Sequence, residues 1–272
     1  MLAPRYQERA RHLTAGFPFW DGPAPGTTIT TNLGDFYDAQ RRIKVTAANP
    51  TMGSWDVGSL GPYIDINGTA GDFMQADDGE WAKPANPALM GWVWPDSYPA
   101  GGMVLFSRSD DITVAGYELA VEATTGELKY AYYGTAVRGW YVDTGTPLTA
   151  GQWNHFAISP NHAAGYVRFY LNGQFQSQVS ITAEAINHAA SDTVAVGDQN
   201  QNDEWNGRFA GLELYDCPIK DAWVQDSYTD FYGLYRPDLS RFFNVAPAAA
   251  AGGGLSIPVA MHQYRRLRSW VA

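Results

Sequence analysis

The sequence predicts an all-β fold on three observations. Short segments in which apolar and polar side chains alternate recur along the 272 residues, and this two-residue period is typical of strands that bury one face. Turn-forming glycine, proline and asparagine residues separate the segments. Amphipathic helical patterns do not intervene between them. An antiparallel β-sandwich or β-barrel is therefore the predicted architecture.

A three-stranded meander is the clearest predicted element. Apolar and polar side chains alternate over residues 166–171 and again over 174–179. Asn172 and Gly173 lie between these segments, and this pair readily takes the positive φ angles of a two-residue type I′ turn. The preceding segment, residues 153–158, carries the same alternation. We expect three consecutive strands that pair antiparallel.

The other predicted elements rest on local pattern and turn signals. In chain order they are a helix over residues 4–13, strands over 17–20 and 27–31, paired strands at 63–67 and 73–74, strands over 89–94 and 103–107, a hairpin of 117–122 with 128–133, and a helix over 221–232. Residues 89–94 are apolar on both faces, which predicts a central strand of a sandwich. Residues 32–60 show no clear period, and we place no strand there.

Charge is distributed unevenly along the chain. The net charge is +2 over residues 1–44, −16 over 45–233 and +4 over 234–272, which gives the total of −10. An acidic body repels phosphate groups, so we expect no direct binding of nucleic acid. The basic residues of the two ends either solvate tails or contact an acidic protein surface.

The sequence also indicates the cellular compartment in which the protein is made. It contains no run of 18 apolar residues, so we expect no membrane insertion. Cys217 is the single cysteine, which excludes an internal disulfide. The N-terminus lacks the apolar core of a signal peptide. We expect synthesis in a reducing cytoplasm, with Cys217 packed as a small apolar residue.

Six segments carry a resemblance to a known family. They are, in order, ALMGWVWPD, GGMVLFSRSD, YELAVEATTGELKY, PLTAGQWNHFAIS, VRFYLNGQ and NGRFAGLELYDCPI. Their succession resembles the laminin G-like branch of the concanavalin A-like lectin and glucanase fold, closely over residues 88–223 and weakly over 15–78. The resemblance implies a two-sheet antiparallel β-sandwich of the jelly-roll type over residues 15–235. Extended N- and C-terminal arms would then occupy residues 1–14 and 236–272.

The two ends carry a second resemblance. The opening PRYQERARHL and the tail YRPDLSRFFNVAPAAAAGGGLSIPV are similar to the ends of laminin G-like proteins encoded among tailed-bacteriophage virion genes. This implies that the protein is a structural component of a virus particle.

The sequence of the sandwich lacks the catalytic pattern of the glucanases that it resembles. Glucanases that this fold resembles carry glutamate, aspartate and glutamate at alternate strand positions, since a retaining mechanism needs two nearby carboxylates on one face. That string does not occur here. Glu118 and Glu122 share one face of a strand, where a solvated pair is the plainer interpretation. His155 is best interpreted as a packed residue whose ring bonds a backbone group. We therefore expect a protein that is not an enzyme.

One loop has the donor pattern of a calcium site. Oxygen-bearing side chains recur in GDQNQNDEWNG, and calcium gathers several hard oxygen ligands from flexible backbone. The loop lacks the spacing of an EF-hand, and asparagine-rich loops also serve simply as turns. Calcium is the candidate cofactor, with these predicted ligands: Asp198, Asn200, Asn202, Asp203 and Glu204.

Aromatic residues near loops are the candidates for ligand stacking. Flat rings pack against sugar rings or anchor protein partners. Most of the ten tryptophans must nevertheless belong to the core. The predicted stacking residues are Trp140, Tyr141 and Trp205.

The C-terminal segment has the composition of an arm. Residues 246–254, APAAAAGGG, have no apolar anchor and cannot order by themselves. Apolar and basic residues return after them, which favours ordering on another subunit. The predicted anchoring residues of both ends are Arg5, Arg9, Arg11, Leu255, Ile257, Val259, Tyr264, Arg265, Arg266, Leu267, Arg268 and Trp270.

Two function hypotheses follow. In the first, implied by the resemblance and favoured by the arms, the chain is a structural accessory protein of a tailed-phage virion, a decoration or fibre-type component of head, neck or tail. It would be made in the host cytoplasm and reside in the virion in several copies, bound to capsid, portal, adaptor or tail subunits. In the second, the chain is a carbohydrate-binding module or lectin that binds glycans at its loops. The two hypotheses are compatible, since a lectin-like domain displayed on a virion would aid adhesion to host-surface sugars. A glycoside hydrolase is a third alternative.

Overall fold

A computed structural model describes residues 4–19, 27–29, 36–37, 43–47, 53–69, 72–98, 102–108, 115–136, 138–188, 194–197 and 204–235. These residues all belong to one compact unit within residues 2–236. They form two antiparallel sheets packed face to face, so the fold is the predicted all-β sandwich. No helix in this described part is long and apolar enough to span a membrane.

Seventeen strands and two α-helices make up the described residues. The strands are β1 (Leu13–Phe17), β2 (Thr27–Ile29), β3 (Phe36–Tyr37), β4 (Lys44–Ala47), β5 (Gly53–Gly58), β6 (Gly61–Asn67), β7 (Met74–Ala76), β8 (Ala88–Pro95), β9 (Met103–Arg108), β10 (Tyr117–Val121), β11 (Leu128–Tyr133), β12 (Arg138–Val142), β13 (Asn154–Asn161), β14 (Tyr166–Leu171), β15 (Gln174–Ser180), β16 (Val194–Val196) and β17 (Asn206–Tyr215). The helices are α1 (Pro4–His12) and α2 (Asp221–Thr229), with 3-10 helices at Glu80–Ala82 and Phe231–Leu234.

The larger sheet has the order β15-β14-β13-β8-β17-β6-β5-β2 among the described strands. One edge of β17 pairs along its whole length with β8, while the other edge pairs with β6 in its first half and with β1 in its second half. The smaller sheet has the order β12-β11-β10-β9-β16-β7-β4-β3. Strand β17 is therefore the central strand of the larger sheet.

Several sequence predictions are confirmed. Strands β13, β14 and β15 are neighbours in the larger sheet, as a meander requires. Asn172 and Gly173 have φ angles of 50° and 79°, so both turn residues take positive φ. Strand β8 lies inside the larger sheet, and β10 pairs with β11 as the predicted hairpin. Both predicted helices are present, as α1 and α2.

Two strand predictions are wrong. Residues 63–67 do not pair with 73–74, because β6 pairs with β5 and β17 while β7 belongs to the other sheet. The chain crosses between the sheets after β6, and the local alternation of side chains carries no information about that crossing. The first strand is β1 at Leu13–Phe17 and not at residues 17–20. Helix α1 ends directly before it, which moves the strand toward the N-terminus.

The main core fills the space between the sheets. Inward side chains of strands from both sheets meet there, including Ile64 and Leu214 from the larger sheet and Leu119 from the smaller one. Buried tyrosines satisfy their hydroxyl groups at the edge of this core: Tyr117 donates to the carbonyl of Ala82 over 3.1 Å, and Tyr132 to that of Thr182 over 3.0 Å. The apolar alternation seen in the sequence is thus the inner face of each sheet.

A second core lies on the outer face of the larger sheet, beneath the two helices. It joins side chains of α1 and α2 to outward side chains of the sheet. Its buried members are Tyr6, Leu13, Ala88, Met90, Ala157, Tyr170, Tyr215, Ile219, Trp223, Val224 and Leu234. Residues 4–12 are therefore packed on the sandwich, and the expected N-terminal arm is not free over this segment.

Helix α1 also contributes a buried ion pair. The Arg9 guanidinium bonds the Glu213 carboxylate, and its Nε donates to the Tyr215 hydroxyl over 2.6 Å. Both charged side chains are 0% exposed. Burial is the largest single effect on Arg9 and by itself would lower its pKa, but the charges of and hydrogen bonds to Glu213 and Tyr215 together outweigh it and raise that pKa above its ordinary value. The prediction of Arg9 as a partner-anchoring residue is wrong, because its charge is already neutralised within the fold.

A β-bulge resets the alternation of β17. Phe209 pairs with Val93 and Gly211 with Trp92, so Ala210 is an extra residue. Phe209, Leu212 and Leu214 all lie in the inner core, which a strict two-residue period cannot achieve across positions 209 and 212. Gly211 has φ of 150°, and a Cβ there would lie 2.4 Å from ring atoms of Phe231.

We predict that Gly211→Ala destabilises the sandwich. The matched control is Gly151→Ala, because Gly151 also has positive φ, 74°, but no atom lies within 4 Å of its added Cβ. The free energy of unfolding of the control variant should fall only by the cost of placing alanine in this backbone conformation, about 1–2 kcal/mol. Gly211→Ala should lose about 1–3 kcal/mol beyond that from the collision with Phe231. Equilibrium unfolding in urea measures both, and equal losses would show that the bulge tolerates a side chain.

We also predict that Arg9→Met is strongly destabilising. Removing one partner leaves the Glu213 carboxylate buried without its cation, which costs about 3–5 kcal/mol. The double variant Arg9→Met with Glu213→Leu removes both charges and should recover most of that loss, since apolar replacements of buried pairs are often neutral. Circular dichroism during urea unfolding gives the three free energies. A single variant as stable as the parent chain would contradict the prediction.

Candidate functional site

The open half of the larger sheet's outer face presents a polar and aromatic surface at one end of the strands. We call it the rim face. The strand register places its side chains in rows on one side of β5, β6, β17 and β8, with Trp153 directly before β13. Its residues are Ser54, Asp56, Tyr63, Asp65, Asn67, Trp94, Asp96, Trp153, Asn206 and Arg208.

Arg208 is the centre of the rim face. Its Nε donates to the Asp65 carboxylate over 2.9 Å, and the two side chains are 31% and 28% exposed. The guanidinium carbon lies 5.0 Å from the centre of the Trp94 ring and 5.5 Å from that of Tyr63. Arg208 is thus held by one carboxylate and two aromatic rings while part of its donor edge stays open to solvent.

The aromatic rings form a connected row. Trp94 packs edge-on against Trp153, with ring centres 5.9 Å apart, and Tyr63 packs edge-on against the same Trp153 at 5.9 Å. All three rings are half-buried. Burial and the nearby Asp56 carboxylate, with which the Tyr63 hydroxyl forms a hydrogen bond, raise the pKa of Tyr63.

An open depression adjoins this row. It is lined by Gly53, Ser54, Asp65, Ile66, Asn67, Asp96 and Asn206 and has a volume of about 530 Å³. Asn67 and Asp96 are exposed at its mouth, and the Asp96 amide donates to the Asn206 carbonyl over 3.0 Å. The depression therefore offers carboxylate and amide groups beside flat apolar rings, which suits a ligand that carries both hydroxyl groups and C–H faces.

The predicted stacking residues are only partly brought to the surface. Trp140 is 44% exposed on β12, where Arg138 lies 4.4 Å and Lys129 4.9 Å from the ring centre. Tyr141 follows it on the strand and so points inward, where it stacks on Tyr132 at 5.9 Å. Trp140 and Tyr141 thus cannot form one platform.

Trp205 is not a stacking residue for a ligand. It is 0% exposed and packs in the inner core, with its ring centre 4.9 Å from that of Phe209. The prediction for Trp205 is wrong, because the residue comes directly before β17 and its ring enters the space between the sheets.

The carboxylates considered for catalysis are held in ion pairs. Glu118 is fully buried, with Oε1 3.3 Å from the Lys129 ammonium, and Glu122 Oε2 is 4.0 Å from the same group. The expectation of a solvated Glu118 is wrong, because its strand lies within the smaller sheet between β9 and β11. A substrate has no access to a fully buried carboxylate.

His155 is packed, as predicted: its ring lies edge-on against both Trp92 and Tyr228, which stack on each other. Burial lowers its pKa to about 3, so the ring is neutral at physiological pH. Neither ring nitrogen has a hydrogen-bond partner in the described part of the chain. The predicted bond to a backbone group is therefore absent there, and His155 is a packing residue.

Most remaining predicted site residues lie outside the described residues. Of the calcium loop only Glu204 is described, and it is half-buried; Asp198, Asn200, Asn202 and Asp203 are not, so calcium binding stays a prediction. Arg11 is exposed on α1. The side chain of Arg5 and the anchoring residues from Leu255 to Trp270 are also outside the described part, and their role stays a prediction.

The rim face was missed because its residues are far apart in the chain. Asp65 and Arg208 are separated by 143 positions. The alternation of Tyr63, Asp65 and Asn67 did show which side chains share a face, but that face is brought near Trp94 only because β17 pairs with β6 on one side and with β8 on the other.

A family model matches more than half of the chain, residues 67–225, and describes the concanavalin A-like lectin/glucanases superfamily. The chain belongs to this superfamily. The match covers the strands from β7 to β17 and extends into α2. The predicted laminin G-like fold is confirmed. No curated protein matches the sequence.

Solved structures of low sequence identity share the fold. Domain 4 of AbnA, an extracellular arabinanase from Geobacillus stearothermophilus solved with arabinotriose, has a TM-score of 0.58 at 18% identity, covering 79% of this chain and 97% of that one. The binding domain of Paraclostridial Mosquitocidal Protein 1 has 0.57 at 12%, covering 82% and 53%. That of botulinum neurotoxin serotype G has 0.57 at 11%, covering 80% and 50%. The chain thus spans about half the length of the two toxin domains.

Proposed function

We propose that the chain is a non-catalytic binding domain that binds a carbohydrate at the rim face. The observation that carries the proposal is the position of Arg208, which lies between two aromatic rings and beside a depression lined with carboxylate and amide groups. Such a surface matches the two sides of a sugar, because the rings of Trp94 and Trp153 pack on C–H faces while Arg208 and Asp96 bond hydroxyl groups.

The charge of the rim face favours a neutral sugar. Asp56, Asp65 and Asp96 face a single cation, Arg208, and Arg208 is already bonded to Asp65. A phosphorylated or acidic sugar would meet this excess of carboxylates and be repelled. Neutral oligosaccharides are therefore the proposed ligand class, and arabino-oligosaccharides are suitable first probes since domain 4 of the arabinanase was solved with arabinotriose.

Ion pairing supports a role without catalysis. Glycoside hydrolysis needs two accessible carboxyl groups, one of them protonated as an acid. Asp65 accepts from the guanidinium of Arg208, and Glu118 is buried against Lys129. These carboxylates are engaged in structure, so binding is the function that the described surface supports best.

The test is binding of the full chain to a broad neutral glycan array, followed by calorimetry with each hit. Trp94→Ala should weaken binding about tenfold, since aromatic packing is worth about 0.5–1.5 kcal/mol beyond the area buried. Asp96→Ala, at an exposed position, should weaken it similarly by removing hydrogen bonds.

The matched control is Trp140→Ala, which removes an exposed tryptophan from the other sheet and should leave affinity unchanged. Thermal unfolding of each variant verifies that it is folded. If Trp140→Ala were the one variant that lost binding, the carbohydrate site would be assigned to β12 and not to the rim face. An array without hits would overturn the proposal.

We propose, as a second function compatible with the first, that the sandwich is a structural component of a tailed-phage virion. Two sequence features favour this role: the apolar-poor spacer of residues 246–254 and the basic, apolar segment 255–270 after it, beside a body of net charge −16. Such a segment suits docking on an acidic capsid, portal or tail subunit. Since Tyr6 and Arg9 are buried in the fold, attachment would depend on the C-terminal end.

Deleting residues 246–272 should leave the melting temperature of the isolated protein unchanged but abolish its incorporation into particles. Each apolar anchor is worth about 1.5–3 kcal/mol when a partner covers it. A second variant replaces Arg265, Arg266 and Arg268 by glutamine. It should be incorporated less than the parent chain, and the difference should shrink as salt concentration rises, because salt screens the attraction of the arginines to an acidic partner. Full incorporation of the truncated chain, measured by protein content of purified particles, would contradict this role.

A further inference from the structure

Three side chains with metal-binding atoms converge where α1 and β17 both end. His12 is the last residue of α1, and Asp216 and Cys217 directly follow β17. A ring nitrogen of His12, a carboxylate oxygen of Asp216 and the sulfur of Cys217 all lie within 4.8 Å of one another. In the part of the chain that the structure describes, this is the one group of three or more such residues so placed.

The main chain holds the group together. The Asp216 amide donates to the His12 carbonyl over 3.1 Å, and the next residues, Leu13 and Tyr215, are paired partners of β1 and β17. The His12 ring centre lies 5.9 Å from that of Trp223. The three donor atoms are therefore brought together by the end of strand β17 and the end of helix α1, and not only by attraction between their side chains.

The donor set has the chemistry of a zinc site. Zinc takes imidazole nitrogen, thiolate sulfur and carboxylate oxygen at about 2.0–2.3 Å in tetrahedral geometry, which separates the ligand atoms by roughly 3.3–3.8 Å. His12 Nδ1 and Asp216 Oδ1 are already 2.9 Å apart. The other donor atoms are at most 4.8 Å apart. Side-chain rotations that move these atoms by about an ångström bring them to the separations of a tetrahedral site.

The local charge also fits a divalent cation. One carboxylate and one thiolate supply two negative charges against the two positive charges of zinc, while the neighbouring Glu8 and Lys220 neutralise each other in an ion pair. His12 and Asp216 are 41% and 46% exposed, so an ion and its water can enter from solvent.

We propose that His12, Asp216 and Cys217 bind a zinc ion, with a water molecule in the fourth position. Binding replaces the thiol proton of Cys217 by the metal and releases that proton to solvent. The imidazole binds in its neutral form through Nδ1. The ion would link the end of α1 to the end of β17 and hold the helix on the outer face of the larger sheet. This site lies about 30 Å along β17 from Asn206, given a rise of about 3.3 Å per residue, and does not rest on carbohydrate binding.

The test uses the full chain, freed of metal by a chelator, then titrated with zinc by calorimetry. We expect one zinc per chain, proton release that scales with the ionisation enthalpy of the buffer, and a rise in melting temperature with zinc. Cobalt(II) in place of zinc should give a near-ultraviolet sulfur-to-metal charge-transfer band. Since Cys217 is the single cysteine, the band reports this site alone.

Cys217→Ser should abolish the charge-transfer band and lower zinc affinity at least tenfold, and His12→Gln and Asp216→Asn should each lower it similarly. Glu127→Gln, which removes a half-buried carboxylate from the β10–β11 turn, is the control and should bind as the parent chain does. Circular dichroism verifies the fold of each variant. If the His12 or Asp216 variant fails to fold, the zinc affinity of Cys217→Ser alone tests the proposal. Unchanged affinity in Cys217→Ser, or no cobalt–sulfur band in the parent chain, would overturn the proposal.

Discussion

The bulge at Ala210 is the constraint on which the larger sheet depends. Strand β17 lies in the middle of the larger sheet and pairs on both edges. The direction of its side chains therefore determines which residues face the inner core and which face outward. Without the extra residue, Leu212 and Leu214 would point outward and Glu213 and Tyr215 inward. The bulge places Arg208 and Glu213 on the same outer face while keeping Phe209 and Leu214 in the inner core.

The same bulge divides that outer face into two halves. The 3-10 helix at Phe231–Leu234 closes over it, with Phe231 above Gly211 and the Tyr232 hydroxyl donating to the Ala210 carbonyl over 3.1 Å. On one side, α1 and α2 cover the second half of β17 and bury Arg9 with Glu213. On the other side, β17 carries Arg208 and Asn206, which stay half-exposed. A strand can thus be a packing surface at one end and a binding surface at the other.

The sequence was sufficient for features that depend on neighbouring residues. Asn172 and Gly173 specify their turn by backbone preference, so the meander of β13, β14 and β15 could be predicted. The simple alternation rule also contained the answer for Trp140 and Tyr141, whose adjacent positions put them on opposite faces of β12. The family resemblance supplied the two-sheet arrangement, which the strand pairing of the structure confirms.

Features that join distant residues could not be predicted in this way. Arg9 and Glu213 are 204 positions apart, and nothing near Arg9 distinguishes a buried cation from an exposed one on a short, polar helix. Asp65 and Arg208 meet only because β6 and β17 pair in one register. The crossing after β6 likewise depends on remote strands, since Met74 pairs with Ala47 on one side and with Val196 on the other.

Burial of Arg9 changes how the ends of the chain should be understood. A basic N-terminal segment beside an acidic body is compatible with an arm and with an internal cap, since both bring positive charge to carboxylates. The choice depends on desolvation: Arg9 lies on the same helix as buried Tyr6, and its guanidinium is matched by a carboxylate and a tyrosine hydroxyl inside the fold. Exposed Arg11, two residues on, has the same charge without that burial. Net charge over a segment therefore does not identify a partner surface, and each cation must be assigned by what surrounds it.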